Sequence, residues 1–339
     1  MLFDLGPRLL TTRDVARIVK LGGAEALTEA ERRADAARYQ EVQCRSALNS
    51  VKGMPFSWTL NPYRGCTHAC HYCFARRYQT QLELGSGDEF SSLIFVKTNF
   101  ADVLRRELDH PKWTRELAAL GTATDPYQPI EGHYKITRRT LQALAVGRSP
   151  VGLLTKGPMI VRDIDVLQDV FRNTVGSSVC VSVPTVDEHA WRALEPGTAS
   201  PLQRLRAVRA MVDAGLEAGV LMAPLVPGFS THPAKIEATV KAVADHGARF
   251  VGANVLFLDG GTREHFMRFL SQEFPALSAQ YEHLYASKYA ARDYVDRVKK
   301  TVGMLKARYG LNMRHRRGND EESTPEVPVA RETQATFDF

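Results

Sequence analysis

The chain has 339 residues, 44% of them hydrophobic, enough to bury one large core with short appendages. The net charge is +6; without the acidic last 22 residues the body holds 43 basic against 32 acidic residues, a charge of +11, which suits either a polyanionic partner such as nucleic acid or plain solubility. No apolar run is long enough to span a bilayer, the N-terminal MLFDLGPRLLTTRDVAR lacks a secretory core, and five cysteines, three of them clustered, exclude a disulfide framework, so a reducing compartment, the cytoplasm, is expected.

In chain order, Thr12 to Leu21 reads as a short helix closed by Gly22 and Gly23. Thr28 precedes Glu31 by three residues, a capping-box pattern, and predicts a charged helix to about Val42. Residues 1–50 thus form a helical N-terminal segment, in which Cys44 is either a small buried side chain or a distant ligand. From Ser57 short apolar runs alternate with amphipathic stretches. Strands are predicted at 57–60, 92–97, 116–122, 151–156, 178–183, 217–225 and 249–258, and helices near 74–84, 100–108, 134–146, 163–172, 201–214 and 233–246. This alternation over 51–260 argues for parallel βαβ units, six or seven of them, too few for a closed eight-fold barrel. Residues 261–317 read as basic helices near 262–273, 277–290 and 292–308; nine basic residues against two acids between Arg292 and Arg317 make either a phosphate-contacting or a solvated face. Residues 318–339 form an acidic tail with the composition of a disordered segment.

The chemistry concentrates in Asn61 to Tyr78, NPYRGCTHACHYCFARRY, where Cys66, Cys70 and Cys73 have C-x3-C-x2-C spacing. Three thiolates this close wrap one compact object. A [4Fe–4S] cube takes four ligands, so three leave one iron open to a small molecule. Alternatively His68 or His71 completes a Cys3His zinc site. The stretch resembles the cluster motif of the radical S-adenosylmethionine (SAM) superfamily, with Tyr72 in its aromatic slot, and within it the spore photoproduct lyase-like branch, over roughly Cys44 to Leu258. The resemblance implies an α/β fold, a partial (β/α)6 TIM-type barrel with N-terminal helices and a C-terminal helical extension, with chemistry at the carboxyl ends of its strands. It implies SAM and a [4Fe–4S] cluster as cofactors, reductive cleavage of SAM to a 5′-deoxyadenosyl radical, a reductant such as flavodoxin or ferredoxin, and a lyase-like, DNA repair-like reaction on nucleic acid. A protein or small-molecule substrate, or a non-catalytic Cys-ligated metal module, is the alternative.

The downstream motifs fall at or near strand ends. In GTATDPYQPIE (121–131), Thr124 and Asp125 match the family positions beside the SAM amino group, where an acceptor oxygen suits an ammonium; a Pro-rich turn is the plainer reading. Lys156 in LLTKGP matches a partner for the SAM carboxylate, and otherwise is a solvated lysine. In SVCVSVPT (178–185) the valines alternate with Ser178, Cys180 and Ser182, which places the valines against outer helices and the small residues in the lumen. Ser182 or Thr185 is the ribose candidate, and Cys180 is either a hydrogen-atom donor or core filler. In LEPGTASPLQRL (194–205), Thr198 or Ser200 can cap the next helix with Pro201 in its first turn; Glu195 and Arg204 are the charged residues, Glu195 a SAM-site candidate. Two departures bear on the reaction: Thr122 stands where spore photoproduct lyase has its donor cysteine, and Phe74 where it has tyrosine. The C-terminal Gln334, Phe337 and Phe339 resemble the peptide that docks on bacterial sliding clamps, with Phe337 in place of its leucine.

Overall fold

The computed structural model describes residues 37–82 and 86–311. The helix expected over Thr12 to Leu21, the Thr28 capping box and the clamp-like C-terminal peptide lie outside the described residues. The last part of the expected N-terminal charged helix is a strand instead: β1 (Arg38–Val42) pairs in parallel with β5 (Leu93–Lys97), Tyr39 opposite Ile94. Tyr39 is buried, and its neighbours on either side are exposed. A partner strand some 55 residues away, at Cα pairs such as Arg38 and Leu93, overrode the local helical signal.

The main sheet runs in the order β10-β9-β8-β7-β6-β3-β2. Its six parallel strands are β3 (Trp58–Leu60), β6 (Ala118–Leu120), β7 (Val151–Thr155), β8 (Ser178–Ser182), β9 (Ala218–Leu225) and β10 (Val251–Val255). The short β2 (Asn49–Ser50) adds antiparallel at the β3 edge. This is the partial (β/α)6 barrel. The strand expected at 92–97 forms, but outside the barrel: β5 lies between β1 and β4 (Tyr63–Arg64) in a separate three-stranded sheet.

Helices Ile136–Val146, Ile164–Asn173, Pro201–Asp213 and Pro233–Asp245 connect successive barrel strands. The helix expected at 134–146 starts at Ile136, because Lys135 takes a left-handed conformation (φ +52°) between it and the turn Glu131–Tyr134. Ser200 caps the helix that follows: its hydroxyl accepts from Gln203 N, Gln203 reaches back to Ser200 N, and Pro201 occupies the first turn. Thr198 is drawn elsewhere, accepting from the Trp191 indole at 2.9 Å. Val179, Val181 and Val183 are fully buried in one core with Leu167, Val208 and Met211 of the helices. Burying each valine contributes about 1.5–3 kcal/mol. Ser178 and Cys180, between them, are only half-buried. The C-terminal helices Gly260–Glu273, Pro275–Leu284 and Arg292–Arg308 close one side of the molecule. Among the described residues no helix is long and apolar enough to cross a membrane.

Candidate active site at the strand ends

The loop after β4 carries the three cysteines, and its path is tightly fixed. Gly65 has φ +81°, and a Cβ there would lie 2.6 Å from the Leu93 carbonyl oxygen, so only glycine lets the loop leave the strand here. Cys66 N donates to Phe90 O at 3.0 Å and His71 N to Leu194 O at 3.0 Å. Inside the loop lies Arg76, 2% exposed. Its guanidinium donates to the carbonyls of Cys70 (3.0 Å), Ala69 (2.9 Å), Ser86 (3.0 Å) and Gly87 (2.8 Å) and lies 5.0 Å from the Phe90 ring centroid. One planar fork thus holds the cysteine loop to the segment before Phe90.

Cys66 and Cys70 are buried and Cys73 is half-buried; none is in a disulfide. Burial pushes all three thiols up, Cys70 to about 12 against the pull of Lys156; Cys66 is raised further by Asp125, Cys70 and Cys73. Soft thiolate donors in mutual electrostatic range suit an iron–sulfur cluster. The two candidate fourth ligands are engaged elsewhere. His68 Nδ1 sits 3.3 Å from Asp125 Oδ2, and His71 Nδ1 lies 3.1 Å from His265 Nε2 while its ring stacks on Phe269 at 4.0 Å. Three sulfur donors with both neighbouring imidazoles already engaged suit an iron–sulfur cluster better than a Cys3His zinc site.

The ends of β6, β7 and β8 converge on this loop. Asp125, 9% exposed, accepts from Thr155 Oγ1 (2.6 Å), Lys156 N (2.7 Å) and Tyr127 N (2.9 Å). Burial works to raise its carboxyl, but the adjacent His68 and these hydrogen bonds hold it below its ordinary value. Thr124 donates to Gly65 O at 2.7 Å and accepts from Gln128, whose amide also spans Gly65 O and Thr67 N. Both residues expected beside the SAM amino group thus brace the loops.

Lys156 Nζ donates to Ser182 Oγ at 2.5 Å, lies 3.3 Å from Glu195 Oε1 and stands 5.6 Å over the Tyr72 ring. Glu195 accepts from the Tyr72 hydroxyl and from Arg204 Nη2; Arg204 also donates to Ser182 O at 2.7 Å. Burial would raise the Glu195 carboxyl, yet Arg204 and Lys156 bring it down to about 2. Tyr72, Lys156, Ser182 and Glu195 are therefore one connected group beside the cysteines. Thr185 and Cys180 are not part of it. The Thr185 hydroxyl accepts from Asp187 N at 3.1 Å, and Cys180 lies mid-strand, opposite Leu154 and Gly219.

Sequence reasoning passed over Arg76, Gln128 and Gly197. Gly197 is where a Cβ would come within 2.3 Å of Thr67 O, so the loop bearing Glu195 lies directly on the cysteine loop. The single hint of Arg76 was its place three residues after Cys73; Gln128 and Gly197 carried none beyond lying inside matched motifs.

A half-open parallel barrel with three cysteines in a loop after its first strand defines a class. The family model of the radical SAM superfamily matches residues 60–243, and the chain belongs to that superfamily. Membership brings SAM and an iron–sulfur cluster. An uncharacterized protein of Mycobacterium tuberculosis is 38% identical over 299 residues, covering 87% of this chain and 88% of that protein. The radical SAM Nα-GlyT isomerase of Pseudomonas phage M6 is 28% identical over 176 residues, 50% of this chain but 34% of that longer protein. In fold the chain resembles spore photoproduct lyase complexed with dinucleoside spore photoproduct, with a TM-score of 0.62 over 83% of this chain and 82% of that chain at 16% identity.

Proposed function

We propose that this radical SAM enzyme holds a [4Fe–4S] cluster on Cys66, Cys70 and Cys73 and acts on a nucleic-acid substrate by lyase-like chemistry. Held by these three cysteines, the cluster would supply the electron for reductive cleavage of SAM. The observation that carries the reading is the juxtaposition of Lys156, Ser182, Glu195 and Tyr72 beside the three thiols. Lys156 offers its ammonium to the SAM carboxylate. Glu195 and the Tyr72 ring hold that ammonium in place, and Arg204 keeps Glu195 ionised. Asp125 and Thr124 present acceptor oxygens at the end of β6 and lock the loops together. Ser182, with Thr185 beyond the end of the same strand, serves the ribose, and Cys180, two residues before Ser182 on β8 and outside the proposed cluster ligands, is the candidate hydrogen-atom donor. Thr122, engaged with Asn61 across 3.3–3.4 Å, offers no thiol where spore photoproduct lyase has one.

The nucleic-acid assignment is supported by the +11 body charge and by the fold likeness to a lyase complexed with a dinucleoside photoproduct. A base in duplex would have to be flipped out to reach the strand ends. A flavodoxin- or ferredoxin-type reductant in the cytoplasm, and clamp docking through Gln334, Phe337 and Phe339, complete the proposal. The test is anaerobic reconstitution with iron and sulfide, then dithionite and SAM, with 5′-deoxyadenosine measured by chromatography. Production of 5′-deoxyadenosine that is lost in Cys70→Ala is expected. No 5′-deoxyadenosine from a fully loaded protein would overturn the reading in favour of a non-catalytic metal module.

A further inference from the structure

A cavity of about 50 Å³ lies behind the cysteine loop, between the small sheet and the barrel. Since one water needs about 10–15 Å³, it has room for a single tetrahedral oxyanion. Its wall is shared with the candidate active site: Gly65 immediately precedes Cys66, Ala75 follows Cys73 by two residues, and Asn61 and Ala123 follow the ends of β3 and β6. Two cations line it, Lys97 at the end of β5 and Arg64 of β4, and among the described residues no carboxylate does. Lys97 Nζ donates to Asn61 O at 3.1 Å and lies 5.7 Å from the Phe100 centroid. That uses one of its three N–H donors, and among the described residues no carboxylate is paired with it. Burial lowers its pKa, Cys44 opposes that shift and Arg64 adds to it. Lys97 is half-buried, so an anion arriving from outside can reach its remaining donors.

We propose that this cavity is an oxyanion pocket that takes a backbone phosphate of the substrate strand through Lys97, with Arg64 beside it. The source of the phosphate rests on the nucleic-acid reading above; the chemistry of the pocket does not. The experiment uses the reconstituted enzyme and a short fluorescein-labelled single-stranded oligonucleotide, with affinity measured by anisotropy across a salt series. Lys97→Met keeps the apolar stem and removes the charge. It is expected to weaken binding about tenfold and to lower the slope of log K against log salt by about 0.7, one phosphate contact on a single strand. Lys97→Arg restores most of the affinity, which a loss of packing alone would not explain. Should Lys97→Met fail to fold, as judged by iron content and thermal melt, competition by inorganic phosphate on the unmodified enzyme at constant ionic strength gives the second reading, and displacement is expected. Unchanged affinity and slope in a folded Lys97→Met, or no displacement by phosphate, overturns the pocket. If the unmodified enzyme ignores the oligonucleotide while inorganic phosphate raises its melting temperature through Lys97, the pocket stands and the nucleic-acid reading falls.

Discussion

Arg76 shows how much of a metal-binding loop can hang on one side chain. Four carbonyls around its guanidinium come from two chain segments, and the ring of Phe90 covers it. Lysine would keep the charge but offers a point ammonium with three donors instead of a planar fork with five. Hydrogen bonds to a charged group are worth about 1.5–3 kcal/mol each, so losing even one or two of the four costs several kcal/mol locally. Arg76→Lys is expected to lower iron and sulfide per chain by more than half after reconstitution and to depress the melting temperature of the cluster-loaded form. Full iron incorporation with an unchanged melt would show that the loop holds its path without the fork. Glu195 is the contrasting case. Against the upward push of burial, Arg204 and Lys156 hold its carboxyl down to about 2, and its part is to keep the Lys156 ammonium in position.

Between elements, close backbone approach does the positioning. The Glu195 loop meets the cysteine loop at Gly197, whose amide donates to His68 O at 3.1 Å. An added Cβ would lie 2.3 Å from Thr67 O and 3.0 Å from His68 Cα, backbone atoms that cannot rotate away. Gly197→Ala is expected to push the two loops apart, so that SAM binding weakens at least tenfold by calorimetry while the far-UV circular dichroism stays unchanged; equal SAM affinity would contradict this packing. Much of the barrel was legible beforehand because its strands carry their own pattern. The valines of β8 alternate with small residues, and the structure buries Val179, Val181 and Val183 at 0% exposure. The cysteine spacing and Lys156 were legible for the same reason, since each sits in a short local motif. What was not legible depends on distant partners. The five-residue β1 carries only one buried residue, Tyr39, and becomes a strand because β5 supplies its ladder. The same pairing removes β5 from the barrel sequence order. Gln128 reads as an ordinary loop amide until Gly65 and Thr67 arrive from 61–63 residues away.

Among the described residues the apolar interior falls into three clusters, the smallest of them Cys66 and Ala75 of the cysteine loop with Phe90, and the division makes metal loading a stability question for one region. The main core holds the barrel strands and their connecting helices, including Val298, Val302 and Leu305 of the last helix. A second cluster joins Cys70 and Tyr72 to Phe266, Phe269 and Leu270 of helix Gly260–Glu273 and to Tyr281 of helix Pro275–Leu284. Polar contacts run the same way: Thr262 Oγ1 donates to Cys73 O at 3.0 Å, Arg77 reaches Asp259 at 3.3 Å, and His265 meets His71. Burial lowers His265 to about 4, and Arg76 and Arg268 add to the shift, so that ring is neutral where it stacks. Helices Gly260–Glu273 and Pro275–Leu284 thus rest on the cysteine loop, whereas, among the described residues, helix Arg292–Arg308 touches that second cluster only through Tyr294 and Val295 and is anchored to helix Pro233–Asp245, with Arg308 pairing Glu237 at 2.8 Å. Binding to the native state alone stabilises whatever must be ordered for binding, and local opening reports it region by region. Hydrogen exchange of the cluster-loaded and chelated forms is expected to separate the two. Amides at 260–284 should exchange at least tenfold faster once the cluster is removed, a local loss of about 1.4 kcal/mol or more. Amides of helices Ile136–Val146 and Arg292–Arg308 should keep their rates. A uniform acceleration across all of these helices would mean that the cluster stabilises the fold as a single unit, and no change at 260–284 would mean that the cysteine loop and these helices are not coupled.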